Sequence, residues 1–168
     1  TAGMLDEGTA TRSALEIAAE AERLGAQLGT AATLGTSEVR ASALETNLAP
    51  TLALLADVIR NPSFAPAELE RVRAIWLAQI RQEKAQPNSL ALRLLPPAIY
   101  GTGSPYGVPL TGSGTEESIR GLTRDDLVRF HAERIRPDNV TFYVVGDVDL
   151  AAATAALDAA FRGWSAPA

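Results

Sequence analysis

Apolar residues recur along this chain at two periods, and the switches between them mark out its elements. Ala14, Ile17, Ala18, Ala21 and Leu24 fall at helical spacing, one stripe over residues 13–24. Ser13 is a good N-cap, Glu16 three residues on completes a capping box, and Gly25 supplies the stop. The stretch 26–34, then Val39, Ala41 and Ala43 alternating with Glu38, Arg40 and Ser42, shifts to a period of two around Gly35-Thr36-Ser37. That predicts a β-hairpin with a pleat of small residues. Leu48, Leu52, Leu55 and Ile59 return to the helical period and predict a second helix over about 47–60, capped near Thr46. Asn61-Pro62-Ser63 ends it, because proline cannot continue the hydrogen-bond ladder. A third, longer helix opens at Pro66 and reaches about residue 84, with Leu69, Val72, Trp76, Gln79 and Ile80 facing inward. A break at Gln86-Pro87 precedes a fourth helix, from about 89 to the Pro96-Pro97 pair or slightly beyond.

Residues 101–114 are rich in Gly, Pro, Ser and Thr and predict a loop. Thr115 opens a short helix with Glu116 and Glu117 well placed for the helix dipole. Thr123, with Asp126 three residues on, caps another that runs to about 134. Arg136-Pro137-Asp138-Asn139 predicts a turn, and Val-Thr-Phe-Tyr-Val-Val at 140–145 predicts a strand, central in its sheet. An Ala-rich helix over 150–161 closes the chain, with Trp164 after it. Three strands are too few to cover this many helices, so further strands are expected upstream of Thr1. The fold class is α+β.

Composition narrows the function classes. The chain has 168 residues, 46% hydrophobic and 21% charged, as a globular domain does. A net charge of −5 argues against nucleic acid as a partner, because a domain that grips phosphate backbones usually carries a basic face. No run approaches the roughly 18 to 20 apolar residues of a membrane span. The absence of cysteine excludes disulfides and thiolate zinc sites, and one histidine nearly excludes a histidine-based metal site within this chain. The abrupt opening on Thr-Ala-Gly-Met reads as a piece of something longer, with any targeting signal upstream.

The residues alone offer no catalytic constellation. His131 has no partner histidine and reads as structural. Asp6-Glu7 reads as a solvated or helix-stabilising acid pair. The glycines at 101, 103 and 107 follow a helix rather than a strand, with no Gly-Lys-Ser/Thr, so they fail as a phosphate loop. Glu68, Glu70, Arg71 and Arg73 read as a solvated face, and Ser104-Pro105-Tyr106 as a turn.

Several segments taken in order carry a resemblance. They are Met4-Leu-Asp-Glu-Gly-Thr9 with Arg12-Ser-Ala-Leu-Glu-Ile17; Leu24-Gly-Ala-Gln-Leu28; the stretch from Leu54 to Phe64 that holds Arg60-Asn-Pro-Ser-Phe64; Glu68-Leu-Glu-Arg71; Ser104-Pro-Tyr-Gly107; Gly121-Leu-Thr-Arg-Asp-Asp-Leu127; and Arg136-Pro-Asp-Asn139 leading into Val144-Val-Gly-Asp147. In this order and spacing, over nearly the whole chain, they resemble the M16 zinc metallopeptidases, the insulinase, pitrilysin and mitochondrial processing peptidase group. The resemblance implies an M16-like (LuxS/MPP-like) α+β domain with a mixed or antiparallel sheet, helices mainly on one face and N-terminal strands missing. It would span residues 1–168, with 1–112 the N-terminal part and 113–168 the start of a C-terminal-type segment.

Active members of that family carry His-x-x-Glu-His, two zinc ligands and a glutamate base, with a third glutamate ligand on a later helix and another acid one heptad before it. Anchored on Gly8-Thr9, the resemblance puts the base at Ala2, the second histidine at Gly3, the third ligand at Gln79 and the accompanying acid at Val72. Glycine offers no donor, alanine cannot take a proton from water, and an amide is a poor substitute for a carboxylate on zinc. The expectation is therefore no catalytic residue, metal ligand or cofactor in this chain. Zinc would sit in a catalytic M16 half, in the same chain or a separate subunit, for which this piece would be the non-catalytic half that closes the chamber. Peptide substrate would add as a strand along Leu28, Gly29, Thr30 and Ala31, unless that strand packs against the partner half instead. A non-proteolytic scaffold subunit and a segment active in its own right remain as alternatives. The resemblance places the protein in a bacterium, in periplasm or cytoplasm, with the periplasm favoured.

Overall fold

The computed structural model describes residues 1–33 and 35–166. Leu34, at the end of the first predicted hairpin arm, and the last two residues of the expected 1–168 domain lie outside the described residues. A turn of helix at Ala2–Met4 precedes α1 (Ala14–Arg23), β1 (Gln27–Ala32) and β2 (Ser37–Ser42). Then come α2 (Leu48–Arg60), α3 (Pro66–Ala85), α4 (Pro87–Tyr100), α5 (Glu116–Gly121), α6 (Arg124–Arg134) and α7 (Leu150–Ala160).

Local chemistry explains most boundaries. The Ser13 amide donates to Glu16 Oε2 at 2.7 Å and the Glu16 amide donates to Ser13 Oγ at 3.3 Å, the expected capping box. Thr115 with Ser118, and Thr123 with Asp126, repeat it on α5 and α6. β1 and β2 pair antiparallel from Gln27 opposite Ser42 to Ala32 opposite Ser37. Their inward Leu28 and Val39 pack on a core of Met4, Leu5, Ile17, Ala21, Leu54, Val58, Phe64, Leu69 and Leu127. This core gathers the first turn, α1, α2, α3 and α6 on the hairpin.

Three expectations change. On α2 the buried side chains are Thr51, Leu54, Leu55, Ala56, Val58 and Ile59, while Leu48 and Leu52 are only half-buried. The helix lies between the hairpin and α7, so it buries a broad sector rather than one stripe. On α3, Leu69 and Ile80 are buried, but Gln79 is exposed; an amide gains little from an apolar wall and here donates to Glu83 Oε1 at 3.2 Å. Residues 140–145 form no strand: among the described residues the sheet holds β1 and β2 alone. The side chains favour a strand, but no neighbouring strand meets their main chain, and a ladder needs both sides.

The elbow between α3 and α4 is held by polar burial. Gln86 serves as the last cap of α3 and the first of α4, and Pro87 takes the first-turn position where a missing N–H is harmless. Pro96 cannot donate to the Leu92 carbonyl; the Leu110 amide does so instead at 3.1 Å, which fastens the following loop to the helix. Arg93, its side chain 7% exposed, donates to Glu83 Oε2 at 2.7 Å, to Ser113 Oγ at 2.6 Å and to the Gly114 carbonyl at 2.6 Å. Ser113 Oγ also donates to Glu83 Oε2 at 2.7 Å. Burial alone would raise the Glu83 carboxyl, but the hydrogen bonds from Ser113, Arg93, Thr111 and Gln79 outweigh it and hold it below its ordinary value.

Two outcomes follow from this packing. Leu5, with no exposed surface, sits in the middle of the core, so Leu5→Ala should cost about 2 to 5 kcal/mol in urea unfolding. Glu83 binds fewer protons folded than unfolded, so its contribution is complete above the unfolded value near about 4.3 and is lost as pH falls through its lower folded value. Thermal scans from pH 7 down to 3 should therefore show an acid loss of stability that is shallower in Glu83→Gln.

Candidate functional site

The zinc-site positions implied by the resemblance fall on the first turn and α3. Ala2 and Met4 are buried in that turn and Gly3 is exposed. The turn packs on α3, and Val72 of α3 rests on the cluster that contains Met4 and Leu5. Arg71 reinforces this contact: its guanidinium pairs with Glu7, just after the turn, and with Glu68 on α3. The structure thus brings the chain's first turn and Val72 to one core. Gln79 lies about two turns further along α3, on the surface, with its amide directed to Glu83.

The loop after the turn is fixed from below by Asp57 of α2. Its carboxylate accepts from Thr9 Oγ1 at 2.8 Å, Arg12 Nη1 at 2.6 Å and Asn61 Nδ2 at 2.9 Å. Burial pushes this carboxyl up, but the Asn61, Thr9 and Arg12 hydrogen bonds prevail and hold it below its usual range. Gly8 takes a φ of +124, and a Cβ there would meet Ser63 Oγ at 3.1 Å, so the Gly-Thr step requires its glycine. The segment that anchors the resemblance is therefore built as a rigid platform.

That platform does not present a zinc site. Gly3 has no side chain, Ala2 a methyl group and Val72 an isopropyl group turned to the core. The acids nearby already have partners: Glu7 and Glu68 hold Arg71, and Asp6 accepts from Thr30 Oγ1 at 3.4 Å. Among the described residues, no group of three His, Cys, Asp or Glu side chains is placed to hold a metal ion. The donor set does not fit zinc, and no catalytic step can be routed through these residues. His131 stands elsewhere, with Nε2 at 2.7 Å from the Ile59 carbonyl and its ring edge-on to Phe64 at 5.8 Å, as a bolt between α6 and α2.

Leu28, Gly29 and Thr30 are half-buried and Ala31 is exposed on β1. One edge of β1 pairs with β2, and among the described residues no strand covers the other. A Cβ on Gly29 would meet nothing within 4 Å, so a backbone could approach closely there. Sequence reasoning missed a second concavity: a cleft of about 630 Å³ at the α3–α4 elbow, lined by Ile75, Ala78, Gln79, Gln82, Glu83, Gln86 and Ser89. Its only advance signal was the recurrence of glutamine at 79, 82 and 86.

Comparison with known proteins agrees with this architecture. Residues 3–112 match the family model described as insulinase (peptidase family M16), and residues 121–168 match the peptidase M16 inactive domain. An uncharacterized zinc protease of Mycobacterium leprae is 30% identical over 146 residues, which is 87% of this chain and 32% of that protein. The crystal structure of a peptidase M16 inactive domain from Pseudomonas fluorescens superposes with a TM-score of 0.81 at 32% identity, covering 98% of this chain and 40% of that one. The first half of the Escherichia coli periplasmic protease PqqL shares the fold at a TM-score of 0.81 and 18% identity, over 98% of this chain and 36% of that one. The chain spans about a third of the length of the curated relatives it matches. From its first turn to its final helix, this polypeptide belongs to peptidase family M16.

Proposed function

We propose that this chain is part of the non-catalytic half of an M16-type zinc metallopeptidase. It closes the chamber and supports peptide for a catalytic half that holds the zinc, whether fused or separate. The observation that carries this reading is the donor set: at the positions where the resemblance would put the family's base, ligands and accompanying acid, the chain has Ala2, Gly3, Gln79 and Val72. Relatives named zinc proteases supply the family context, and the match to a domain described as inactive supports the assignment of halves. Residues 1–112 and 113–168 would then be consecutive parts of one M16-like domain. Placement in a bacterial periplasm rests on the resemblance alone.

Substrate would add along Leu28, Gly29, Thr30 and Ala31 by main-chain hydrogen bonds, which tolerate many sequences. The open edge of β1 and the bare surface at Gly29 favour this use. The elbow cleft, with its neutral amides, is a separate concavity and is not needed for it.

Three measurements test the proposal. Titrated with zinc and read by metal analysis after dialysis, the chain should retain far less than one equivalent; a tightly held, chelator-removable equivalent would reverse the assignment. Peptidase activity should be absent from the chain alone and present once a zinc-bearing half is added, and continued silence there would favour a scaffold. In that combined system Gly29→Val should raise KM several-fold while leaving thermal stability nearly unchanged, because the new side chain enters open space. An unaltered KM would remove β1 as the peptide edge.

A further inference from the structure

Helix α4 is apolar nearly all the way round. Apart from the closing Tyr100, its only polar residues are Asn88, Ser89 and Arg93, and Arg93 is turned inward to Glu83. A helix of that composition is ordinarily covered on every side. Here one side alone is covered, the side of Arg93 and Pro96, which are buried. On the other, Leu92, Leu94, Leu95 and Ile99 are 46%, 61%, 52% and 61% exposed, with Ala91 and Ala98 exposed between them. At 100° per residue these six side chains sweep about 160° of the circumference without a polar group.

The surroundings are equally bare of charge. From Pro87 to Thr115 the sequence holds one charged residue, the buried Arg93, although the chain as a whole carries −5. Exposed Leu110, whose amide holds the Leu92 carbonyl, and exposed Tyr106, whose ring lies 6.1 Å from that of Tyr100, extend the patch along the helix. A continuous apolar patch on the order of several hundred Å² marks an interaction site, whereas single exposed leucines do not. Absence of charge at the centre with tyrosine beside it is the composition of an interface core.

We infer that this face of α4 is a self-association surface, and that its occupant is the same face of a second copy, packed antiparallel about a two-fold axis between Leu94 and Leu95. The sequence is symmetric about that point: Ala91 of one copy falls level with Ala98 of the other, and the small pair lets the helices approach closely. Leu94 and Leu95 of both copies meet at the axis, and Leu92 reaches toward Ile99 of the other copy. A two-fold interface demands such self-complementarity. Two acidic molecules can meet here because no charge faces its own image. Doubled across the axis and extended by Tyr106 and Leu110, the patch passes the roughly 1,200 Å² at which specific interfaces begin. This inference goes beyond the assignment to a non-catalytic half, and neither zinc content nor peptidase activity bears on it.

Sedimentation at two concentrations roughly a hundredfold apart, on the 168-residue chain and on the full-length gene product, should show each passing from monomer to dimer. Leu95→Lys sets two like charges at the axis and should keep both monomeric, with the melting temperature of the 168-residue chain within about 1 °C of the parent because the residue is exposed. The chain has no cysteine, so cross-linking can be read without background. Ala91→Cys with Ala98→Cys cannot bridge within one copy, where the two lie about 10 Å apart along the helix. Under mild oxidation this double variant should give a covalent dimer much faster than either single variant. Equal rates from singles and double would overturn the antiparallel pairing. Monomer throughout, or a dimer that survives Leu95→Lys, would overturn the surface. A full-length product that stays monomeric while the short chain dimerises would also overturn it, by giving the face to the protein's own remaining polypeptide.

Discussion

Burial of the chain's first turn beneath the hairpin is the contact on which the remaining architecture rests. Leu5 and Met4 meet Ile17 of α1, Leu54 and Val58 of α2 and Leu69 of α3 in one cluster, with Leu28 and Val39 of the hairpin packed on it. Apolar area removed from water is the source of stability, and here the first turn and four helices contribute to the same area. The polar groups around it act as fasteners. Asp57 anchors the loop of Thr9 and Arg12, and Arg71 joins Glu7 to α3. Because the turn is fixed, the orientation of the side chains it carries is fixed too.

Much of this was legible in the residues. Capping boxes at Ser13, Thr115 and Thr123 set helix starts through bonds made within three residues, so a local reading finds them. Which side chains of β2 face inward follows from alternation in 37–42, again a local property. Failures came where a distant partner decides. Gln79 fits the helical stripe of α3, yet it is exposed while Ile80 beside it is buried, and the amide donates to Glu83. Residues 140–145 have every side-chain preference of a strand, but hydrogen-bonded pairing is a property of two segments and cannot be read from one. Arg93 is a lone charge in an otherwise apolar stretch of α4; its burial against Glu83, Ser113 and Gly114 depends on a loop about twenty residues downstream.

The chemical side of the molecule separates in the same way. Family membership follows from many weak motifs in order, and packing explains two of them: the glycine of Gly8-Thr9 by its φ and the approach of Ser63, and the Asn61-Pro62-Ser63 stop by its return to Gly8, where the Ser63 amide donates to the Gly8 carbonyl at 2.9 Å. These are requirements of the scaffold.

The single-residue joint at Gln86 has a consequence for how this region can vary. Since α3 ends and α4 begins on one residue, the spacing from Glu83 to Arg93 sets the azimuth of α4. One residue inserted into the first turn of α4 would rotate its later side chains by about 100° around the axis. The guanidinium would then swing out to solvent and an aliphatic neighbour would swing in toward a carboxylate. Insertions and deletions should therefore be rare between these two positions and commoner in the loop over 101–110, where length alters no such phase relation.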